Sequence, residues 1–211
     1  MVACSSIFGA VLADVFNYCV ISLMCKRRDI QISKRNQIMT NILTFGAIAA
    51  LGLVYLPRGI TVETMMQYIL ICAMSVFALA DAEHHFISNR LLWTLLIVWA
   101  GITGLAVILA AQYGLALLFR SLVGAIVGGA IFLLCYFLSK GQLGAGDVKL
   151  VFVMGLYLTG ERIMGAVFYG VIACCAYSVL QLVRKKIGVK DGVPLAPFLY
   201  LGQLATYFIM A

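Results

Sequence analysis

"GQLGAGDVKLVFVMG", residues 141–155, sets a carboxylate and a lysine between a glycine-rich turn and an apolar run. The run reads as a membrane helix, with Asp147 in its first turn. An acid at the mouth of such a helix needs a reason, and a second acid would supply one.

The composition fits that reading outward along the whole chain. Of 211 residues, 64% are hydrophobic and 11% charged, where a soluble domain averages about 45–50% and about 25%. Apolar stretches approaching the ~20 residues of a membrane span recur from end to end. With no water in the bilayer core to satisfy backbone groups, these stretches are expected to be helices. The reading is all-α: a polytopic membrane protein with about eight transmembrane helices, near 4–25, 37–56, 64–80, 91–111, 115–138, 148–160, 163–183 and 193–210. The sixth is short and is expected to be partial or tilted. The first lacks a basic leader and is too long for a signal sequence, so it is read as a retained span. The domain expectation is a single membrane domain over 1–211. It holds N-terminal spans with a short basic loop at 1–65 and a core at 66–211.

The net charge of +7 does not point to nucleic acid, because the basic residues fall in short loops. If loops alternate sides, Lys26, Arg27, Arg28, Lys34, Arg35, Arg90, Lys140, Lys149, Arg184, Lys185, Lys186 and Lys190 share one side. Only Arg58, Arg120 and Arg162 lie on the other. The positive-inside rule makes the first side cytoplasmic and places both chain ends outside. The seven cysteines form no CxxC pair and read as packing residues, so neither zinc nor a disulfide is expected.

Among the eight acidic residues, Asp29, Glu63, Glu161 and Asp191 fall in loops, while Asp14, Asp81, Glu83 and Asp147 do not. Asp81 closes the third span and Asp147 opens the sixth, both at cytoplasmic helix ends. Two carboxylates brought close together cannot both ionise cheaply, so such a pair tends to hold one proton between them. One member then takes a proton from water while the other polarises a peptide carbonyl, as in aspartic proteases. A helix N-terminus favours negative charge, which makes Asp147 the more readily ionised of the two. Gly144 and Gly146 remove side chains beside it, leaving room for another backbone. The plainer reading is a helix cap for Asp147 and a helix-end charge for Asp81, but capping leaves the glycines unexplained. His84 and His85 titrate in a useful range, although loop histidines are usually solvated. Gly124 and Gly128 in "GAIVGG" allow close helix approach. Pro194 and Pro197 predict a bend in the last span, and a proline-containing segment beside an aspartyl site would also be placed to position substrate.

"GAGDVKL" at 144–150 resembles the GxGD motif of membrane aspartyl proteases, and the lysine two residues on resembles the type IV prepilin peptidase branch. "DAEHHFISNRLL" at 81–92 is similar to that family's first motif, with Ser88 where proline is usual. "GVPLAPFLYLG" at 192–202 is similar to its closing proline-containing span. The likeness covers roughly residues 70–205. It implies a hydrolase that removes the leader of prepilin-like precursors of type IV pilus or secretion systems, at the cytoplasmic face of a prokaryotic inner membrane. Carried over, Asp81 and Asp147 are catalytic, and Gly144, Gly146, Lys149, Glu83 and Asn89 are supporting residues. No metal or cofactor is implied. The expected partners are a membrane-inserted precursor and the bilayer, with no nucleic acid. The long bacterial enzymes carry a cysteine-rich, zinc-binding insert associated with N-methylation of the product. This chain has only "CKRRDIQISKRNQ" there, which makes it similar to a short form and leaves methyltransferase activity open. Two rival readings stand: a presenilin or signal-peptide-peptidase type of GxGD protease, and a proton- or cation-coupled transporter using Asp14, Asp81 and Asp147.

Overall fold

A computed structural model describes residues 35, 38, 41, 42, 44–48, 61–138, 143–184 and 192–209. Within them every regular element is α-helix: α1 (Val62–His84), α2 (Asn89–Leu109), α3 (Ala111–Leu138), α4 (Ala145–Val183) and α5 (Ala196–Ile209). Among the described residues, four helices, α1 to α4, are long and apolar enough to cross a membrane. The eight expected spans are therefore not all seen. The first two lie outside the described residues except for helical positions 38, 41, 42 and 44–48 in the second, and Asp14 lies outside them too. The sixth and seventh form one helical stretch, α4. The eighth is only 14 residues long, about 21 Å against a hydrocarbon core of about 30 Å.

α1 begins at a reciprocal cap. Thr61 Oγ1 accepts the Thr64 N–H at 3.2 Å, and Thr64 Oγ1 accepts the Thr61 N–H at 2.9 Å, so two donors at the helix start are satisfied. The helix ends at His85 in the left-handed conformation, φ 48°. Most of its length is buried, as suits a helix that is apolar on all sides. The helices around it turn Trp93, Ile97, Ile108, Phe119 and Phe137 outward, as lipid contact requires.

The break in α4 decides the layout. Thr159 has φ 63°, ψ 175°, outside any helical region. Val151 and Ile163 both lie against Gly128: a Cβ there would stand 3.2 Å and 2.9 Å from their Cγ1 atoms. Twelve residues of straight helix rise about 18 Å, so these two side chains could not share one neighbour unless the chain reversed between them. The halves 145–158 and 160–183 therefore run in opposite directions, as the separate sixth and seventh segments anticipated.

Glycines set the spacing. A Cβ on Gly124 would meet the Gly155 carbonyl oxygen at 2.5 Å, and one on Gly155 would meet the backbone of Gly124. α3 and α4 thus cross backbone to backbone at Gly124, while Gly128 makes room for the side chains of Val151 and Ile163; both glycines allow the close approach expected of them. A second crossing joins α4 to α5, where Gly202 meets the backbone of Ala166 and Gly170. Tyr157, 2% exposed, donates its hydroxyl to the Leu95 carbonyl at 2.7 Å and ties α4 to α2. At the far end from Asp81, Glu63 and Arg120 pair at 3.6 Å between α1 and α3.

Two predictions follow from the crossing and the break. Gly124→Ala drives a methyl into a carbonyl that cannot rotate away. It should lower stability by about 1–3 kcal/mol, read as a fall in thermal midpoint in detergent. Gly101→Ala, with nothing within 4 Å, should be neutral or stabilising. Thr159→Gly removes a β-branched side chain from a positive-φ position and should raise the midpoint by about 1 kcal/mol in stability. A fall there would mean that the Thr159 side chain, rather than its backbone, holds the turn.

Candidate active site

Three helix ends meet at one end of the bundle. Asp81 sits in the last turn of α1 and is 6% exposed. An acid so buried needs donors, and the start of α5 provides one: the Ala196 N–H donates to Asp81 Oδ2 at 2.9 Å. The Leu195 carbonyl accepts from Phe198 and Leu199 at 3.0 and 3.1 Å. Ala196 is thus the first residue inside α5, where N–H groups have no partner within the helix.

Pro194 and Pro197 therefore bracket the start of α5, and the bend expected inside the last span is not found. Proline suits the first turn of a helix, because its missing N–H costs nothing there and its φ is already helical.

Asp147 occupies the third position of α4, with its N–H donating to the Gly144 carbonyl at 3.0 Å. It is half-buried, and the charge of Asp81 reaches it. Both acids now stand at helix N-termini, Asp147 at that of its own helix and Asp81 at that of α5. The asymmetry drawn from the sequence, which gave this help to Asp147 alone, is lost.

Each glycine makes room for a side chain of the protein itself. A Cβ on Gly144 would stand 3.0 Å from Asp147 Oδ2, so that glycine keeps room for the carboxylate itself. A Cβ on Gly146 would stand 3.2 Å from Ile87 Cβ. It is the side chain of Ile87, from the loop after α1, that uses this space. In this way the segment bearing Asp81 packs directly on the turn bearing Asp147.

The stretch that carries both segments has relatives. The type IV leader peptidase family matches residues 68–179, a stretch that includes both acids. The chain belongs to the type IV leader peptidase family. It is 28% identical over 203 residues to a prepilin leader peptidase/N-methyltransferase of Burkholderia pseudomallei, covering 92% of this chain and 61% of that protein. A protein of the same name from Bacillus subtilis is 24% identical over 168 residues, covering 79% and 63%. Leader peptidase HopD of Escherichia coli is 31% identical over 134 residues, covering 61% and 82%. The chain thus spans about three fifths of the length of the first two relatives. No solved structure matches it significantly.

The remaining residues singled out in this leader peptidase family member divide by position. Glu83 is half-buried near the end of α1 and lies 3.8 Å from His84. His84 and His85 are exposed, and His85 is close enough to bear on Asp81. Ser88 precedes α2 with φ −72°, a value proline adopts without strain, which explains how serine and proline can exchange there. Asn89 opens α2. Lys149 is exposed and lines a groove together with Asn89. Among the described residues no three His, Cys, Asp or Glu side chains cluster as metal ligands, and Cys72, Cys135, Cys174 and Cys175 form no disulfide.

The Gly146–Ile87 contact predicts a compensating pair. Gly146→Ala presses a methyl on Ile87 and should lower stability by about 1 kcal/mol. In an Ile87→Ala chain the same change should cost nothing, read as the thermal midpoint in detergent. An equal cost in both backgrounds would separate Gly146 from Ile87.

Proposed function

We propose that this chain is an aspartic endopeptidase that removes the leader peptide of type IV prepilin-like precursors, with Asp81 and Asp147 as its catalytic pair. The observation that carries the proposal is the packing of the segment bearing Asp81, through Ile87 on Gly146, against the turn bearing Asp147, in a member of the type IV leader peptidase family. The peptidase core is the stretch 66–211, in a multi-pass protein of the inner membrane of a prokaryote, with the acids on the cytoplasmic side. The substrate is a membrane-inserted pilin or pseudopilin precursor with a basic leader before an apolar helix.

The chemistry needs no covalent intermediate. One carboxylate takes a proton from water, and that water attacks the scissile carbonyl while the protonated partner polarises it. Burial sharpens both roles, because electrostatic interactions strengthen where water is excluded. The precursor's helix has to unwind at its start, since an extended peptide bond must come within hydrogen-bond reach of both acids. Basic leader residues remain at the face that carries Glu83, Asp81 and Asp147.

Asp81→Asn and Asp147→Asn test this in membranes with a prepilin-like precursor. Asparagine Oδ1 still accepts from Ala196, so the packing of α5 is retained while the titrating group is lost. Each change should lower cleavage by at least about 100-fold with normal accumulation of the inserted protein. Near-normal cleavage by both variants would reduce these acids to helix-end charges. Cleavage lost together with a proton or cation flux that wild type carries in vesicles would instead favour a transporter.

A further inference from the structure

A groove of about 610 Å³ lies between α2, α3 and the first half of α4. Its α3 wall runs from Ala125 to Leu133, eight residues or about 12 Å of helix. Its α4 wall begins at Val148, one residue beyond Asp147, and Asn89 of the first motif lines the same end. The groove therefore begins one residue along α4 from Asp147 and extends into the apolar part of the bundle.

We infer that this groove receives the first two turns of the substrate's apolar helix, with an acidic side chain of that helix set against Lys149; the inference rests on the peptidase reading above. Two features of the groove favour a helix over another occupant. Spread over about 12 Å, the volume gives a cross-section near 50 Å², about half that of an α-helix with its side chains. A helix seated there would bury one face in the protein and leave the other to lipid. The floor holds Ala125 and Gly129 at i and i+4, already packed against Gly155 and Phe152 of α4, so it is the side chains of Ile126, Leu133 and Phe152 that meet a helix entering the groove.

The second feature is charge. The lining is apolar except at the end next to Asp147, where Lys149 and Asn89 stand. Among the described residues no carboxylate pairs with Lys149, whereas Arg120 has Glu63. An ammonium at the mouth of an apolar groove is complemented by an acid carried on the entering helix. That acid is itself favoured in a helix's first turn. The pairing would fix the depth of the helix, and so which peptide bond reaches the two acids.

Photo-crosslinking in the full chain tests the placement. A benzophenone side chain is placed at Trp93 or Leu133 in the groove, or at Phe168 or Val179 on the outward face of the returning half of α4. The host is the Asp147→Asn chain in vesicles, with a precursor bearing one acid in its first two helical turns. Trp93 and Leu133 should crosslink to the precursor at least tenfold more than Phe168 and Val179. Equal crosslinking at all four positions, or crosslinks to lipid alone in the groove, overturns the inference. For the charge, Lys149→Glu in the active chain should raise KM at least tenfold with kcat little changed. Replacing the precursor's acid by lysine should restore it, and no restoration removes the charge pairing. Wild-type cleavage of the same precursor separates the two levels. Cleavage without groove crosslinks leaves the peptidase reading intact and overturns the groove, while absence of cleavage by wild type overturns both.

Discussion

A carboxylate buried in an apolar bundle has few ways to be satisfied, and the hydrogen bond from Ala196 to Asp81 is the one on which the architecture turns. An isolated buried charge costs several kcal/mol or more. The interior of a membrane helix offers no donors, because its own ladder consumes them. Only a helix N-terminus presents free N–H groups. The last turn of α1 must therefore meet the first turn of α5. This requirement draws the closing segment of the chain against α1 and leaves the two prolines at the only part of α5 that tolerates them. Ile87 on Gly146 completes the arrangement from the other side by seating the loop after α1 on the turn that opens α4.

Behind that junction the bundle is spaced by backbone contacts. Glycines at 124 and 155 bring α3 and α4 together, and glycines at 170 and 202 do the same for α4 and α5. Lipid tails are as apolar as leucine, so membrane helices gain little from hydrophobic burial and associate through close packing instead. Both crossings fall on the two halves of α4. That reversing element is held on one side by α3 and on the other by α5. The Tyr157 hydroxyl, bound to a carbonyl of α2, adds a polar tie within the apolar region.

Much of this was legible in the sequence, and the legible parts share a cause. The spans at 64–80, 91–111 and 115–138 lie within α1, α2 and α3 to within two residues, because apolar runs bounded by charge carry their own limits. The break near residue 160 was visible as Glu161 and Arg162, and the chain leaves helical geometry just before them, at Thr159. Asp81 and Asp147 were found as residue types at helix ends. Their company was not. Ala196 contributes a backbone N–H, which no side-chain pattern announces, and Ile87 matters only through the glycine it covers. Gly144 and Gly146 were legible only as a need for space, for the same reason: a missing Cβ does not show that the Asp147 carboxylate and Ile87 lie beside it. The groove between α2, α3 and α4 depends on three separate segments and has no local signature.

The reversal at Thr159 also bears on how the protein is made. The half at 145–158 is about 21 Å long, too short to cross a hydrocarbon core of about 30 Å unaided. Its face is shaped for Gly124 and Gly128 rather than for lipid. It therefore has no stable place in the bilayer until α3 is already there, and it settles fully only once the return half follows. Asp147 travels on that dependent half. The second acid is thus delivered late, as a result of assembly, and a nascent chain still feeding through the insertion machinery holds Asp81 alone.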